Sequence, residues 1–156
     1  MIRQSDGVSL SAVIAPENVI FIEGTPSKEE AVRQLTERML AKVGGTIPRK
    51  VLFDRVAEVE KLNQVLESGF YIPHAKFPDL DTFHAVLGVV PEGFTDAATG
   101  LKVRALILLL SPHKPAFFQR HLNMLSLLSQ TFQPELIEKL AALRDPAAAA
   151  ALVTGK

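Results

Sequence analysis

The chain has 156 residues, 47% of them apolar and 22% charged; seventeen basic residues balance seventeen acidic ones, and there is no cysteine. That length suits one domain with a proper core, and the apolar content excludes a disordered chain. A net charge of zero with no run of one sign argues against nucleic-acid or polybasic membrane binding, and the missing cysteines exclude disulfides, thiol catalysis and cysteine-ligated metals.

Val8-Ser9-Leu10 and Val19-Ile20-Phe21-Ile22 read as short extended segments separated by Pro16. Ser27-Lys28-Glu29-Glu30 has the form of a capping box, a serine that accepts from the first turn and a glutamate that reaches back. Ala31, Val32, Leu35, Met39 and Leu40 follow at helical spacing, and Gly44-Gly45 ends that helix. Pro48 is suited to the first position of a second helix carrying Val51, Leu52, Arg55, Val56 and Val59.

The organising stretch is Ser68-Gly69-Phe70-Tyr71-Ile72-Pro73-His74-Ala75-Lys76. Proline fixes its own φ and pushes Ile72 towards an extended conformation, which predicts His74 on a stiff turn at the end of a strand. Residues 83–90 and 103–110 are nearly continuous apolar runs, bounded by turn chemistry at Pro91-Glu92-Gly93 and Thr99-Gly100. Such runs suit strands covered on both faces by helices. Ser111-Pro112-His113-Lys114-Pro115 reads as a loop. A strong helix follows with a Leu122, Leu125, Leu128, Phe132 stripe, then helices starting at Pro134 and at Asp145-Pro146. The pattern predicts an α/β fold, a three-layer α/β/α sandwich with a mixed central sheet flanked by helices. Residues 1–156 are expected to form a single domain with loose ends at 1–8 and 154–156. Neither a signal-peptide core nor an apolar run of membrane-spanning length is present in the sequence, so a cytoplasmic location is expected.

Four histidines carry the candidate chemistry. His84 opens a buried strand and reads as structural, and His113 in its proline-bounded loop reads as exposed. His121 lies at the edge of the helical stripe, on the seam where the strand carrying His74 arrives. No dinucleotide fingerprint, phosphate loop, HExxH or GxSxG is present. Two histidines with no acidic ligand placed beside them make a metal-dependent hydrolase a poor reading, and no metal or cofactor is expected. Taken alone, a Pro-His is more often structural than catalytic.

Gly69-Phe70-Tyr71-Ile72-Pro73-His74-Ala75-Lys76 resembles the active-site signature of the fructose/mannitol-type enzyme IIA domains of the bacterial phosphotransferase system, including their nitrogen-regulatory branch. Ser27-Lys28-Glu29-Glu30-Ala31 is similar to the opening helix of that family. The span from His84 to Leu110 is similar to its central strand pair, and His121-Leu122-Asn123-Met124-Leu125-Ser126-Leu127-Leu128 to its second histidine motif. The likeness covers nearly the whole chain.

The resemblance implies that His74 accepts a phosphoryl group from a histidine-phosphocarrier protein and that His121 hydrogen-bonds the phosphoryl oxygens. It further implies onward transfer or signalling to a sugar permease subunit or a regulatory target protein. Lys76 would add positive charge, though a solvated lysine is the simpler reading. Phe70, Tyr71 and Phe77 flank the site as core or docking residues. The sequence departs from the family in the segment 59–68: Val59 stands at an arginine position, and Gln64 and Val65 stand at hydroxyl positions. Arg55, one turn earlier, is the candidate substitute. The departure keeps an alternative open, an enzyme IIA-like regulatory binding module with weak or no phosphotransfer.

Overall fold

The computed structural model describes residues 8–155. Five strands form one mixed sheet: β1 (Val19–Phe21), β2 (Phe70–Tyr71), β3 (His74–Phe77), β4 (His84–Thr95) and β5 (Lys102–Pro112). β4 and β5 pair antiparallel at the centre, β1 lies parallel on the free side of β4, and β2 and β3 both lie parallel on the free side of β5. The helices are α1 (Lys28–Val43), α2 (Arg49–Glu60), α3 (Phe118–Thr131), α4 (Pro134–Ala141) and α5 (Pro146–Thr154).

Alternation along β5 divides the interior in two. Leu106, Leu108 and Leu110 join a core with Val32, Leu35 and Met39 of α1 and Leu52 and Val56 of α2. Ala105, Ile107 and Leu109 join a second core with Met124 and Leu128 of α3, Ile137 and Leu140 of α4 and Ala149 and Val153 of α5. Both faces of the central strands are therefore buried, which is why they read as unbroken apolar runs. The three-layer arrangement is borne out.

Local expectations divide. Ser27 caps α1 by accepting from the Glu30 N–H at 3.0 Å, but the Glu30 carboxylate turns outward to Arg33 and Gln34 instead of reaching back. Gly44 ends α1, and Asp145 caps α5 through the Ala148 N–H. Pro48 is the residue before α2 and not its first helical position. Of the extended segment expected at Val8-Ser9-Leu10, Ser9 is extended but Leu10 already opens a 3-10 turn over Leu10–Ala12. Val8 is buried and Thr154 closes α5; residues 1–7 and 156, expected to be loose, lie outside the described residues.

The largest correction concerns Pro91-Glu92-Gly93, which is not a turn. Val89 pairs with Ala105 and Phe94 with Val103, so four residues of β4 face the single Arg104 of β5. The strand bulges there and resumes, and the chain reverses only at Asp96–Gly100, where the Gly100 N–H donates to the Asp96 carbonyl. Pro91 has no N–H to give to a ladder, so a bulge is where a central strand tolerates it. At the other end β5 continues through Ser111 and Pro112, residues expected to lie in a loop.

Candidate functional site

Between Asn63 and Lys76 the chain runs along the sheet edge in two short strands broken at Ile72-Pro73. A tight turn leads in, with the Gly69 N–H donating to Leu66 O at 2.8 Å. Gly69 has φ +85, and a Cβ there would lie 2.6 Å from the Lys102 carbonyl oxygen, so only glycine fits. Pro73 donates nothing to the ladder, but its carbonyl accepts from the Leu109 N–H at 3.0 Å, which keeps the break in register with β5. His74 consequently opens β3 opposite Leu109 and does not end a strand as expected.

Alternation on β3 decides which side chains meet. Ala75 and Phe77 enter the core beneath α1 and α2, so His74 and Lys76 face the other way, towards α3. On α3 the buried residues are His121, Met124 and Leu128. The stripe is thus rotated from the expected one: Leu122 is 58% exposed, and His121 sits at the centre of the buried face. The two imidazole rings lie with centroids 5.5 Å apart and planes tilted by 50°.

Each ring is held by its Nδ1. That of His74 is 2.6 Å from the Ile72 carbonyl oxygen, and the His74 backbone N–H donates to Asn63 Oδ1 at 3.0 Å. A carbonyl oxygen only accepts, so Nδ1 carries a proton, and in the neutral ring the lone pair is on Nε2. His121 Nδ1 lies 2.7 Å from Ser111 Oγ, both residues being buried. Burial, then the charge of Lys76, then His74 push the His121 pKa down to about 4, so this ring is neutral at pH 7.

Lys76 is half-buried on the same face as His74, its Nζ 5.3 Å from the centre of the Phe118 ring. Its charge is felt at His121, so it is not the freely solvated lysine expected. Arg55, the candidate substitute, does not reach this face. Its guanidinium donates to the Lys76 carbonyl at 2.7 Å and stacks on Phe77 under α2. Phe70, Tyr71 and Phe77 are wholly buried, so they belong to the core and are no docking surface. The exposed apolar side chains near the histidines are Leu62, Phe118 and Leu122. His84 is half-buried on β4, separated from His74 by β5, and His113 is exposed.

Asn63 and Ser111 were missed in the sequence. Ser111 had one signal: it is the first hydroxyl after the apolar run 105–110, at the parity of Leu109. Beside His74 lies a cavity of about 370 Å3, lined by Leu62, Asn63, Gln64, Leu66, Leu125 and Ser129. Gln64 therefore borders the site, whereas Val65 is buried in the core under α1 and α2. Among the described residues no three histidines or carboxylates converge as metal ligands, and no helix is long and apolar enough to cross a membrane.

Residues 12–155 match the family model described as the phosphoenolpyruvate-dependent sugar phosphotransferase system, EIIA 2. No curated protein matches the chain significantly. Among solved structures, the nitrogen-regulatory protein IIA-Ntr of Neisseria meningitidis is similar at 20% identity and TM-score 0.78, covering 93% of this chain and 99% of that one. IIA mannitol of Escherichia coli is similar at 23% identity and TM-score 0.67, covering 88% and 96%. The complex of enzyme IIA mannitol with phosphorylated enzyme IIB mannitol from Escherichia coli matches at 20% identity and TM-score 0.68, covering 90% and 96%.

Proposed function

This chain belongs to the EIIA type 2 family of the phosphoenolpyruvate-dependent sugar phosphotransferase system, and from that premise we propose that it carries a phosphoryl group on Nε2 of His74, received from a histidine-phosphocarrier protein. The observation that carries the reading is the Nδ1–H of His74 held by the Ile72 carbonyl. It fixes one tautomer and leaves Nε2 as the nucleophile. The Nε2 lone pair attacks phosphorus as the bond from phosphorus to the donor's imidazole breaks, and that bonding pair returns to the donor ring. No proton needs to move. The positive charge that develops on the His74 ring is shared through Nδ1–H with Ile72 O.

Phosphoryl transfer needs placed donors more than covalent chemistry. A neutral His121 whose Nδ1 accepts from the Ser111 hydroxyl keeps its proton on Nε2, free to donate to a phosphoryl oxygen. Lys76 adds a positive charge on the same face. Asn63 fixes the His74 backbone, and the Gln64 amide, beside the cavity, takes the place of a missing hydroxyl. Leu62 on one flank and Phe118 and Leu122 on the other, the last two a turn apart on α3, form the apolar rim on which a carrier docks. The Escherichia coli mannitol relative is solved with a phosphorylated enzyme IIB. That supports an onward acceptor of the same class, or a regulatory target whose binding depends on the phosphoryl state.

The competing reading, a binding module without transfer, draws on Val59 and Val65, which supply no polar group. Intact mass after incubation with a phosphorylated histidine carrier separates the two. One added phosphoryl group, absent in His74→Ala, is the expected result. No addition to the wild-type chain, with the carrier active on another acceptor, would support the binding module.

A further inference from the structure

We propose that the cleft between the start of β5 and the start of α4 is a second binding site, for a small zwitterion of the α-amino-acid class that carries both a carboxylate and an ammonium group. The cleft has a volume of about 440 Å3 and is lined by Ser68, Lys102, Arg104, Glu135, Ile137 and Glu138. It does not overlap the histidine site. Arg104 is five residues before Leu109, the partner of His74, which places it about 17 Å away along β5.

The bulge in β4 is what aims the two cations. The four residues 90–93 oppose Arg104 alone. Gly93 packs so closely that a Cβ would lie 3.0 Å from Lys102 Cγ and 3.1 Å from Arg104 Cγ. Both side chains line the cleft beside the start of α4. Arg104 Nε is buried without a hydrogen-bond partner, a deficit that folded proteins rarely leave unmet. Among the described residues no ion pair joins Arg104 or Lys102 to Glu135 or Glu138, although all four line one cleft. Gln133 gives α4 no side-chain cap, so its first N–H groups add to the positive side.

Two cations and two carboxylates in one cleft, each without its counter-ion, select the ligand. Inorganic phosphate would meet Glu135 and Glu138, and a simple amine would meet Arg104 and Lys102. A zwitterion satisfies both sets: its carboxylate takes the planar guanidinium fork of Arg104 and its ammonium takes Glu138 or Glu135. Ile137 offers an apolar wall for a side chain.

Isothermal titration calorimetry of the full chain tests this with four probes: the common L-amino acids, matched carboxylates lacking the amine, matched amines lacking the carboxylate, and inorganic phosphate. Expected is saturable binding of at least one amino acid with Kd of about 1 mM or tighter. Either truncated analogue should bind about tenfold more weakly or worse. Arg104→Leu should weaken binding about a hundredfold and Glu138→Gln about tenfold, with unchanged circular dichroism. Lys102→Ala serves as a second, exposed variant and should also weaken it. No saturable binding of any amino acid would overturn the proposal. So would phosphate or a plain carboxylate binding as tightly as the amino acid, or binding that Arg104→Leu leaves intact.

Discussion

At the C-terminal end of β5, Ser111 is bonded to His121, and across the pair His74 is tied through its Nδ1 to Ile72 and through its backbone to Asn63. At the N-terminal end of the same strand, Arg104 has a buried Nε with no partner and shares a cleft with two exposed carboxylates to which it is not paired. The two ends differ in who supplies the hydrogen bonds. The histidine end is complete from within the chain, so its rings are oriented before any partner arrives, as transfer through placed donors requires. At the arginine end the chain supplies no partner for a buried donor.

The sharpest contrast is in rate. His121→Ala should slow phosphoryl transfer to His74 about a hundredfold, the usual cost of losing one placed donor. His121→Gln, which keeps an N–H, should recover part of that loss. Single-turnover transfer followed by mass reads both, and equal rates in all three proteins would remove His121 from the mechanism.

Stability should separate the two ends in sign. Ser111→Ala leaves a buried imidazole nitrogen without its partner and should cost about 1–3 kcal/mol. Arg104→Leu removes a buried donor that has no partner to lose, so it should cost nothing or stabilise. Urea midpoints at unchanged slope make the comparison. A large loss from Arg104→Leu would mean that this end is internally satisfied after all.

The smallest effect is in pH. His121 is held neutral, with its pKa lowered from 6.5 to about 4. Between those values the unfolded chain binds a proton that the folded chain refuses. This contribution is therefore intact above about pH 6.5 and is lost progressively as pH falls towards 4. His121→Gln should flatten that window in a series of urea titrations; an unchanged slope would show that His121 is not the titrating group.

The layers were legible because β4 and β5 are buried on both faces and the helices carry their caps and breakers at the right places, Ser27, Gly44 and Asp145 among them. Pro91-Glu92-Gly93 misled because turn residues also serve a bulge, and only the pairing partner tells the two apart. The α3 face was misjudged because leucines were counted as core, whereas a histidine with a buried hydroxyl partner occupies its centre. Of the candidate site, the two histidines that the structure brings together, His74 and His121, stood out by their motifs. Asn63 did not, and Ser111 offered only its parity with Leu109, since their contacts arise from register across the sheet edge. Arg55 does not reach the face of His74 for a reason of parity: it lies under Phe77, which points to the opposite side of β3.

The most direct test of the central claim is the site of attachment. The chain would be phosphorylated by its carrier with the imidazoles labelled in nitrogen-15, and the nitrogen bonded to phosphorus identified by its coupling in NMR spectra. Phosphorus on Nε2 of His74 is the predicted result, because Nδ1 is committed to the Ile72 carbonyl. Phosphorus on Nδ1, or on His121, would contradict the account.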